Sequence, residues 1–307
     1  MYLRDLSDRM EKLVCIVGTN ASGKSGLGVE LALKYDADIV SADSRQVYKG
    51  LDLGSGKITE EEAKGVKHYM IDVAKPNDFF TLADYQRQAY AAIDRVFTAG
   101  RRPFLVGGTG LYINAVCDGY DLSGNAPDAA LRKKIEERSS DELIRLISEN
   151  DPDALASLDL KNKRRLERAA EKALSKDKST HVNDPKYVCL LLGVTWPREE
   201  LYERIRIRLD KRLEEGMIEE VSSLRENGAT DDFLYRLGLE YRYILMYLRG
   251  EFADYDAFYN KLFMEIRHLA KEQMTWFRKR RDIIWVDMKN DPVEECSHLI
   301  DDFYGMK

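Results

Sequence analysis

The sequence predicts an α/β fold, in which helices flank a parallel sheet and a mainly helical insertion interrupts it. Over residues 1–114, short apolar runs alternate with stretches of helical spacing; from about residue 115, helical stretches follow one another. The first pattern is typical of a parallel sheet covered by helices. With 44% hydrophobic and 33% charged residues among 307, the composition indicates a globular protein with a sizeable core.

The most informative segment is a phosphate-binding loop between the first predicted strand and the first predicted helix. It matches the pattern G-x-x-x-x-G-K-[ST] in full, with Gly18, Thr19, Asn20, Ala21, Ser22, Gly23, Lys24 and Ser25. Backbone N–H groups of such a loop wrap phosphate oxygens, Lys24 adds positive charge, and the Ser25 hydroxyl suits Mg²⁺. We therefore expect a P-loop NTPase-like core that binds a diphosphate or polyphosphate, with Ser25 as a ligand of Mg²⁺.

The remaining strands are predicted from apolar, β-branched runs. They cover residues 37–42, 69–73, 103–108, 187–194 and 283–286. Because the run at 187–194 is expected to rejoin the first sheet, the core is predicted at residues 1–114 and 186–307, with the helical insertion at 115–185. Ligands gather at the carboxyl ends of parallel strands, so the phosphate loop, Asp43 and Gly107-Gly108-Thr109 should meet at one edge.

Helices are predicted from the spacing of apolar residues and from the residues that end them. One follows the phosphate loop, and another runs from Thr81 as its cap to Gly100 as its stop. Inside the insertion, helices are expected at residues 129–137, 140–149, 153–158 and 163–174.

Two features beside the loop favour group transfer. Asp43 follows the second strand and can accept a proton or ligate Mg²⁺ through water, although a turn aspartate has the same sequence pattern. In Gly107-Gly108-Thr109, paired glycines replace the apolar run ending in Asp that is typical of nucleotide hydrolases. This replacement disfavours an ATP-hydrolysing motor.

The net charge of −6 conceals two basic segments. Residues 161–178 hold eight basic and three acidic residues, and residues 267–281 hold six basic and one acidic residue. These segments can attract a polyanion such as nucleic acid, or they can be solvated helix faces. Arg204, Arg208 and Arg212 share one face of a predicted helix. One of them can bind a leaving phosphate, or the three can pair with acidic residues on the surface.

Cysteines and chain composition bear on metal content and location. Cys15, Cys117, Cys189 and Cys296 are far apart and lack a metal-binding spacing, so we predict reduced, mostly buried thiols and no zinc site. No apolar run approaches the roughly 20 residues that span a bilayer, and residues 1–8 lack an apolar signal core. We expect a cytoplasmic monomer.

In combination these segments resemble the tRNA dimethylallyltransferase (tRNA isopentenyltransferase) family. The resemblance is carried by residues 18–25, 43–50, 68–72, 80–85, 106–112, 164–169 and 273–278. It implies transfer of a dimethylallyl group from dimethylallyl diphosphate to N6 of adenosine 37, beside the tRNA anticodon, with Mg²⁺ as helper. It also implies that the insertion grips the anticodon stem-loop.

The resemblance assigns roles to individual residues. Asp43 is the candidate base, while Lys24, Thr109 and Arg208 are expected to neutralise the departing diphosphate. The residues that are expected by family position to contact tRNA are Asp43, Ser44, Arg45, Gln46, Thr109, Arg132, Arg164, Arg165, Leu166, Glu167, Arg168, Tyr241, Arg242, Lys271, Gln273, Trp276 and Arg278.

Departures from the family pattern concern tRNA docking more than transfer. Asn20 stands where Thr is usual, Glu240 where Gly is usual and Glu272 where Arg is usual. Prenyl transfer to a free adenine nucleotide, as in adenylate isopentenyltransferases, and phosphoryl transfer by a P-loop small-molecule kinase are alternative activities. A non-catalytic RNA-binding protein is a further alternative. The helical insertion and the two basic segments favour tRNA as the substrate.

Overall fold

The computed structural model describes residues 10–122, 129–156, 158–160, 162–174 and 183–306. Contacts divide the chain into two compact units. Unit 1 comprises Met1–Tyr120 and Asp184–Lys307, and unit 2 comprises Asp121–Asn183. No helix in the described ranges is long and apolar enough to cross a membrane.

Unit 1 is built on a six-stranded parallel sheet, which confirms the predicted α/β class. The strands are β1 (Glu11–Gly18), β2 (Ala37–Ser41), β3 (His68–Tyr69), β4 (Arg102–Gly107), β5 (Tyr187–Thr195) and β6 (Ile283–Asp287). They pair in the order β3-β2-β4-β1-β5-β6, and every pair is parallel. The run after the insertion therefore rejoins the first sheet beside β1, as predicted.

Helices cover both faces of this sheet and form unit 2. In the described residues they are α1 (Lys24–Lys34), α2 (Glu60–Ala63), α3 (Leu82–Thr98), α4 (Gly110–Cys117), α5 (Ala129–Glu136), α6 (Ser140–Asn150), α7 (Pro152–Leu155), α8 (Lys163–Leu174), α9 (Arg198–Glu214), α10 (Met217–Glu226), α11 (Asp231–Leu237), α12 (Leu239–Leu248), α13 (Tyr255–Phe277) and α14 (Pro292–Tyr304). Helix α4 belongs to unit 1, so unit 2 begins later than the predicted insertion.

Strand β1 lies at the centre of the core because its two faces pack against different helices. Residues 13–17 are fully buried. Val14 and Ile16 pack on the α1 and α14 side, whereas Leu13, Cys15 and Val17 pack on the other side. This alternation of side chains is inherent in a strand, and burial of both faces explains the continuous apolar run. The phosphate loop thus starts from a rigid position.

Strand β3 is shorter than predicted. The sequence indicates residues 69–73, but the strand contains only His68–Tyr69. Met70 and Asp72 have φ values of 63° and 56°, a left-handed conformation that does not continue a strand. The backbone therefore leaves the sheet after Tyr69.

Unit 2 has a small core of its own, formed by α5 to α8. Ile135, Leu143, Ile147 and Ala170 are among its buried residues. Leu166 is fully buried there as well, so this predicted tRNA contact packs the core instead of facing a ligand. Helix α7 ends three residues before the predicted position at residue 158.

The cysteines are all free, but three of them are not far apart in the fold. Cys15, Cys117 and Cys296 are buried and Cys189 is half-buried. The sulfur atoms of Cys15, Cys117 and Cys189 lie within 4.8 Å of one another. Their sequence spacing gave no indication of this cluster, because strand pairing and helix packing bring them together.

We predict that Gly107→Ala destabilises the protein by about 3 kcal/mol, the upper part of the usual range for overpacking. A Cβ atom at Gly107 would collide with the backbone carbonyl of Ala42, which cannot move aside cheaply. Urea unfolding measures the free-energy change. Gly26→Ala is the matched control, because a Cβ there meets no atom within 4 Å. Equal stability of the two variants would contradict the proposed clash.

Candidate phosphate-binding and active site

A cavity with about 960 Å³ of empty space, part of it open to solvent, lies at the carboxyl edge of the sheet. The side chains and backbone that line it include Asn20, Lys24, Ser25, Asp43, Arg45, Gln46, Gly54, Gly56, Gly107, Arg208, Arg212, Glu240 and Gln273. The predicted meeting of the phosphate loop, the Asp43 turn and the end of β4 is confirmed.

The phosphate loop is held from outside by two side chains that follow β5. Trp196 Nε1 donates to the carbonyl oxygen of Ser22 at 2.8 Å, and Arg204 Nε donates to that of Ala21 at 3.0 Å. The Arg204 guanidinium also stacks over the Trp196 ring, 4.4 Å from its centroid. Gly23, with φ of 86°, provides the left-handed turn into α1. Arg204 therefore supports the loop.

Lys24 is one of the cations that line the cavity. Its Nζ donates to the carbonyl oxygen of Thr19 at 3.1 Å. Burial lowers the pKa of Lys24 to about 8, while the Asp43 carboxylate opposes this shift and Arg208 adds to it. A phosphate ligand would favour the charged form of Lys24, because its negative charge opposes the effect of burial.

Gln273, from α13, joins the phosphate loop to the glycine pair. Its Oε1 accepts the Asn20 N–H at 2.8 Å, and its Nε2 donates to the Gly108 carbonyl at 2.9 Å. A Cβ at Gly108 would lie 2.8 Å from that same Nε2 atom, so glycine permits the contact. Gln273 thus bridges residues that are 253 positions apart in the chain, and its predicted contact with tRNA stays a prediction.

Asp43 forms a turn and retains an unused carboxylate oxygen. Its Oδ1 accepts the N–H groups of Arg45 at 2.9 Å and Gln46 at 3.4 Å. Its Oδ2 accepts no hydrogen bond from any residue that the structure describes. Thr109 supports the same turn, since its Oγ1 accepts the Ser44 N–H at 3.0 Å. The turn interpretation is therefore correct, and the carboxylate still lines the cavity.

Two arginines of α9 face the cavity with a buried acid beside them. Arg208 Nη2 donates to the Gly56 carbonyl at 3.4 Å. Glu240 Oε1 lies 3.8 Å from Arg212 Nη1, and its Oε2 lies 4.0 Å from Arg45 Nη1. Burial first, and then repulsion from Arg212, lowers the pKa of Arg208 to about 10. The cavity thus concentrates positive charge away from water.

Glu220 fixes the glycine-containing loop that forms one wall, a role that the sequence did not reveal. Its carboxylate accepts the N–H groups of Asp52, Leu53 and Gly54 at 3.0, 2.6 and 3.1 Å. Tyr241 donates its hydroxyl to the same carboxylate at 3.2 Å. Tyr241 is fully buried, so this predicted tRNA contact is an internal packing residue.

Other predicted tRNA contacts of unit 1 lie on or next to helices α12 and α13. Lys271 and Arg278 are exposed on or just after α13, and Trp276 packs beside Gly110. Arg242 stacks over the Tyr235 ring, 4.6 Å from its centroid. These positions are compatible with a ligand surface, and their contact with tRNA stays a prediction.

Apart from the buried Leu166, the predicted contacts of unit 2 are described by their exposure and their ion pairs. Arg165 and Arg168 are exposed on α8. Arg132 and Arg168 both pair with Glu171, at 2.7 and 2.8 Å, while Glu167 lies 3.7 Å from Lys163. The side chain of Arg164 lies outside the described residues. Contact of this unit with tRNA also stays a prediction.

The fold and the site define an α/β protein with a phosphate-binding loop at the carboxyl edge of its parallel sheet. Residues 46–280 match the family model described as IPP transferase. The chain belongs to this family.

The relatives agree with this assignment over nearly the whole chain. A tRNA dimethylallyltransferase of Acetivibrio thermocellus is 38% identical over 289 residues, covering 91% of this chain and 92% of the relative. A tRNA dimethylallyltransferase 2 of Citrifermentans bemidjiense is 40% identical, covering 95% and 96%. The solved structure of a full-length tRNA isopentenylpyrophosphate transferase from Bacillus halodurans is 35% identical, with a TM-score of 0.73 and coverage of 96% and 98%.

We predict that Gln273→Met loosens the phosphate loop with a loss of about 2 kcal/mol, because two backbone groups lose their partner. Hydrogen exchange, read by mass spectrometry on the peptide containing Asn20, should become faster. Glu272→Ala, a change at the exposed neighbour, serves as control. Unchanged exchange in Gln273→Met would show that the bridge does not hold the loop.

Proposed function

We propose that this protein transfers a dimethylallyl group from dimethylallyl diphosphate to N6 of adenosine 37 in tRNA and releases diphosphate. The observation that carries the proposal is the junction formed by Gln273 between the phosphate loop and the Gly107-Gly108 strand end, in a chain of the IPP transferase family.

In the proposed reaction, Asp43 is the base. The adenine N6 atom attacks the first allylic carbon, the bond from this carbon to the diphosphate oxygen breaks, and a proton of the amine passes to Asp43 Oδ2. An exocyclic amine is a weak nucleophile, so a positioned carboxylate assists the transfer. The adenosine must leave its stack to reach the cavity, at a cost of a few kcal/mol.

The departing diphosphate is proposed to rest against the phosphate loop. Lys24, Arg208 and the loop N–H groups stabilise its developing charge at a site partly shielded from water. Ser25 and Asp43 both line the cavity. A hydroxyl and a carboxylate oxygen, together with substrate phosphates, are donors that fit Mg²⁺. Bound there, Mg²⁺ would neutralise negative charge on the leaving group.

The recognition surface is proposed to include the exposed basic side chains of unit 2. Arg165 and Arg168 present positive charge on α8, which suits the phosphate backbone of an anticodon stem-loop. A monomer in the cytoplasm is the proposed form of the enzyme.

The proposal is tested with the protein, Mg²⁺, dimethylallyl diphosphate and total tRNA that lacks the modification. Digestion and mass spectrometry should detect N6-prenyladenosine at the base 3′ of the anticodon. Parallel reactions contain AMP or ATP instead of tRNA. Prenylated nucleotide without prenylated tRNA would replace the proposal with free-nucleotide prenylation, and phosphoryl transfer from ATP to a small acceptor would indicate a kinase.

In the same assay, Asp43→Asn is predicted to lower the rate at least about 100-fold, the scale of a lost general base. The amide retains an oxygen that can accept the N–H groups of Arg45 and Gln46, so the turn and tRNA affinity should be preserved. Filter binding measures that affinity. A rate close to wild type would remove Asp43 from the mechanism.

Lys24 predicts a pH-dependent affinity for dimethylallyl diphosphate. In the free protein the pKa of Lys24 is lowered to about 8, and bound diphosphate favours the charged form. The dissociation constant should therefore be nearly constant below about pH 8 and rise above it, by up to about tenfold per pH unit. Calorimetry at constant ionic strength measures this rise. Lys24→Arg keeps its charge over the same pH range, so its dissociation constant should not rise. An equal rise in both proteins would mean that a group other than Lys24 causes the pH dependence.

A further inference from the structure

A cluster of three thiols lies in the core of unit 1, apart from the phosphate-binding cavity. Cys15 belongs to β1, Cys189 to β5 and Cys117 ends α4. All three sulfur atoms lie within 4.8 Å of one another, and those of Cys15 and Cys117 are 3.5 Å apart. We call Cys15, Cys117 and Cys189 the thiol cluster.

Strand register explains why the thiols meet. Cys189 is the partner of Leu13 in the β1–β5 pair, and Cys15 follows Leu13 by two residues. Residues two apart point to the same face of a sheet, so the thiols of Cys15 and Cys189 are diagonal neighbours. Helix α4 packs on this face and brings the Cys117 sulfur close to both.

The separations suit coordination to one metal ion. Tetrahedral zinc with Zn–S bonds of about 2.3 Å holds its sulfur ligands about 3.8 Å apart. The Cys15–Cys117 distance of 3.5 Å is already close to this value, and the 4.8 Å limit requires sulfur movements of about 1 Å at most. Side-chain rotation alone can supply movements of that size.

Competing interactions of the thiols are weak. Cys15 Sγ is 4.0 Å from the Leu13 carbonyl oxygen, and Cys189 Sγ is 3.9 Å from that of Tyr187. The nearby Asp118 is held by Arg280, at 2.8 Å from both carboxylate oxygens, and does not join the cluster. Within the described residues, three sulfur ligands thus leave a fourth coordination position open.

We propose that Cys15, Cys117 and Cys189 bind one thiophilic divalent metal ion, with Zn²⁺ as the fitting ion. Three thiols lose their protons on binding, so three protons are released and the complex carries a single negative charge. Thiolates select Zn²⁺ over harder ions such as Mg²⁺. The half-buried Cys189 provides the path of entry, because the other two sulfurs are buried.

We expect the bound ion to stabilise the part of the core that precedes the phosphate loop. Cys15 precedes Gly18 by three residues, about 10 Å along the strand. The ion would link β1, β5 and α4 through zinc–sulfur coordination bonds. It occupies a position separate from Ser25 and Asp43, so its presence does not depend on the proposed transfer reaction.

The test uses the full chain, purified with a phosphine reductant and freed of metal. Zn²⁺ is titrated against a chromophoric chelator, and Cd²⁺ is added separately to observe the ultraviolet sulfur-to-cadmium charge-transfer band. One equivalent of each ion should bind, with the band present. At a free Zn²⁺ concentration of about 100 times Kd, Tm should rise by about 5 °C.

Cys189→Ala and Cys117→Ala should each weaken Zn²⁺ binding at least about 100-fold and abolish the thermal shift, since a ligand is removed. Cys296→Ala, at a buried thiol outside the cluster, should bind like wild type. Circular dichroism verifies that each variant is folded. If Cys117→Ala is unstable because that thiol is buried, the comparison of wild type with Cys189→Ala tests the proposal. Absence of the band, or equal binding by wild type and Cys189→Ala, would overturn the proposal.

Discussion

Gly107 and Gly108, at the carboxyl end of β4, have no side chains. They therefore allow other elements of the site to approach the backbone closely. The Thr109 N–H donates to the Ala42 carbonyl at 3.0 Å, and Gln273 bonds the Gly108 carbonyl at 2.9 Å. These contacts join the turn after β2, the start of α4 and the phosphate loop. Side chains at either glycine would separate elements that must lie within hydrogen-bonding distance.

The second organising factor is electrostatic. Lys24, Arg208 and Arg212 are half-buried near one another, and partial removal from water lowers the pKa of each. Glu240 offsets part of the repulsion between the arginines, although one of its oxygens has no hydrogen bond among the described residues. A cavity arranged in this way favours a highly charged anion over a neutral ligand, because the anion relieves repulsion that the protein alone does not remove.

The sequence predicted what depends on local spacing, and it missed what depends on distant packing. The phosphate loop, the Thr81 cap and the alternation around β1 follow from neighbouring residues, and the structure contains them. The Gln273 bridge joins residues 253 positions apart, so no local pattern indicates it. Tyr241 was misassigned for the same reason: its hydroxyl is taken by Glu220, a carboxylate on another helix.

The polypeptide leaves unit 1 and returns to it at almost the same point. The Asp184 N–H donates to the Gly119 carbonyl at 2.8 Å, and Gly119, with φ of 60°, leaves no room for a side chain against Asp184. The segment between them is therefore a module. Its loss or replacement would require only a short connection between Gly119 and Asp184. Evolution can lengthen, shorten or exchange it while the pairing of β1 with β4 and β5 stays unchanged.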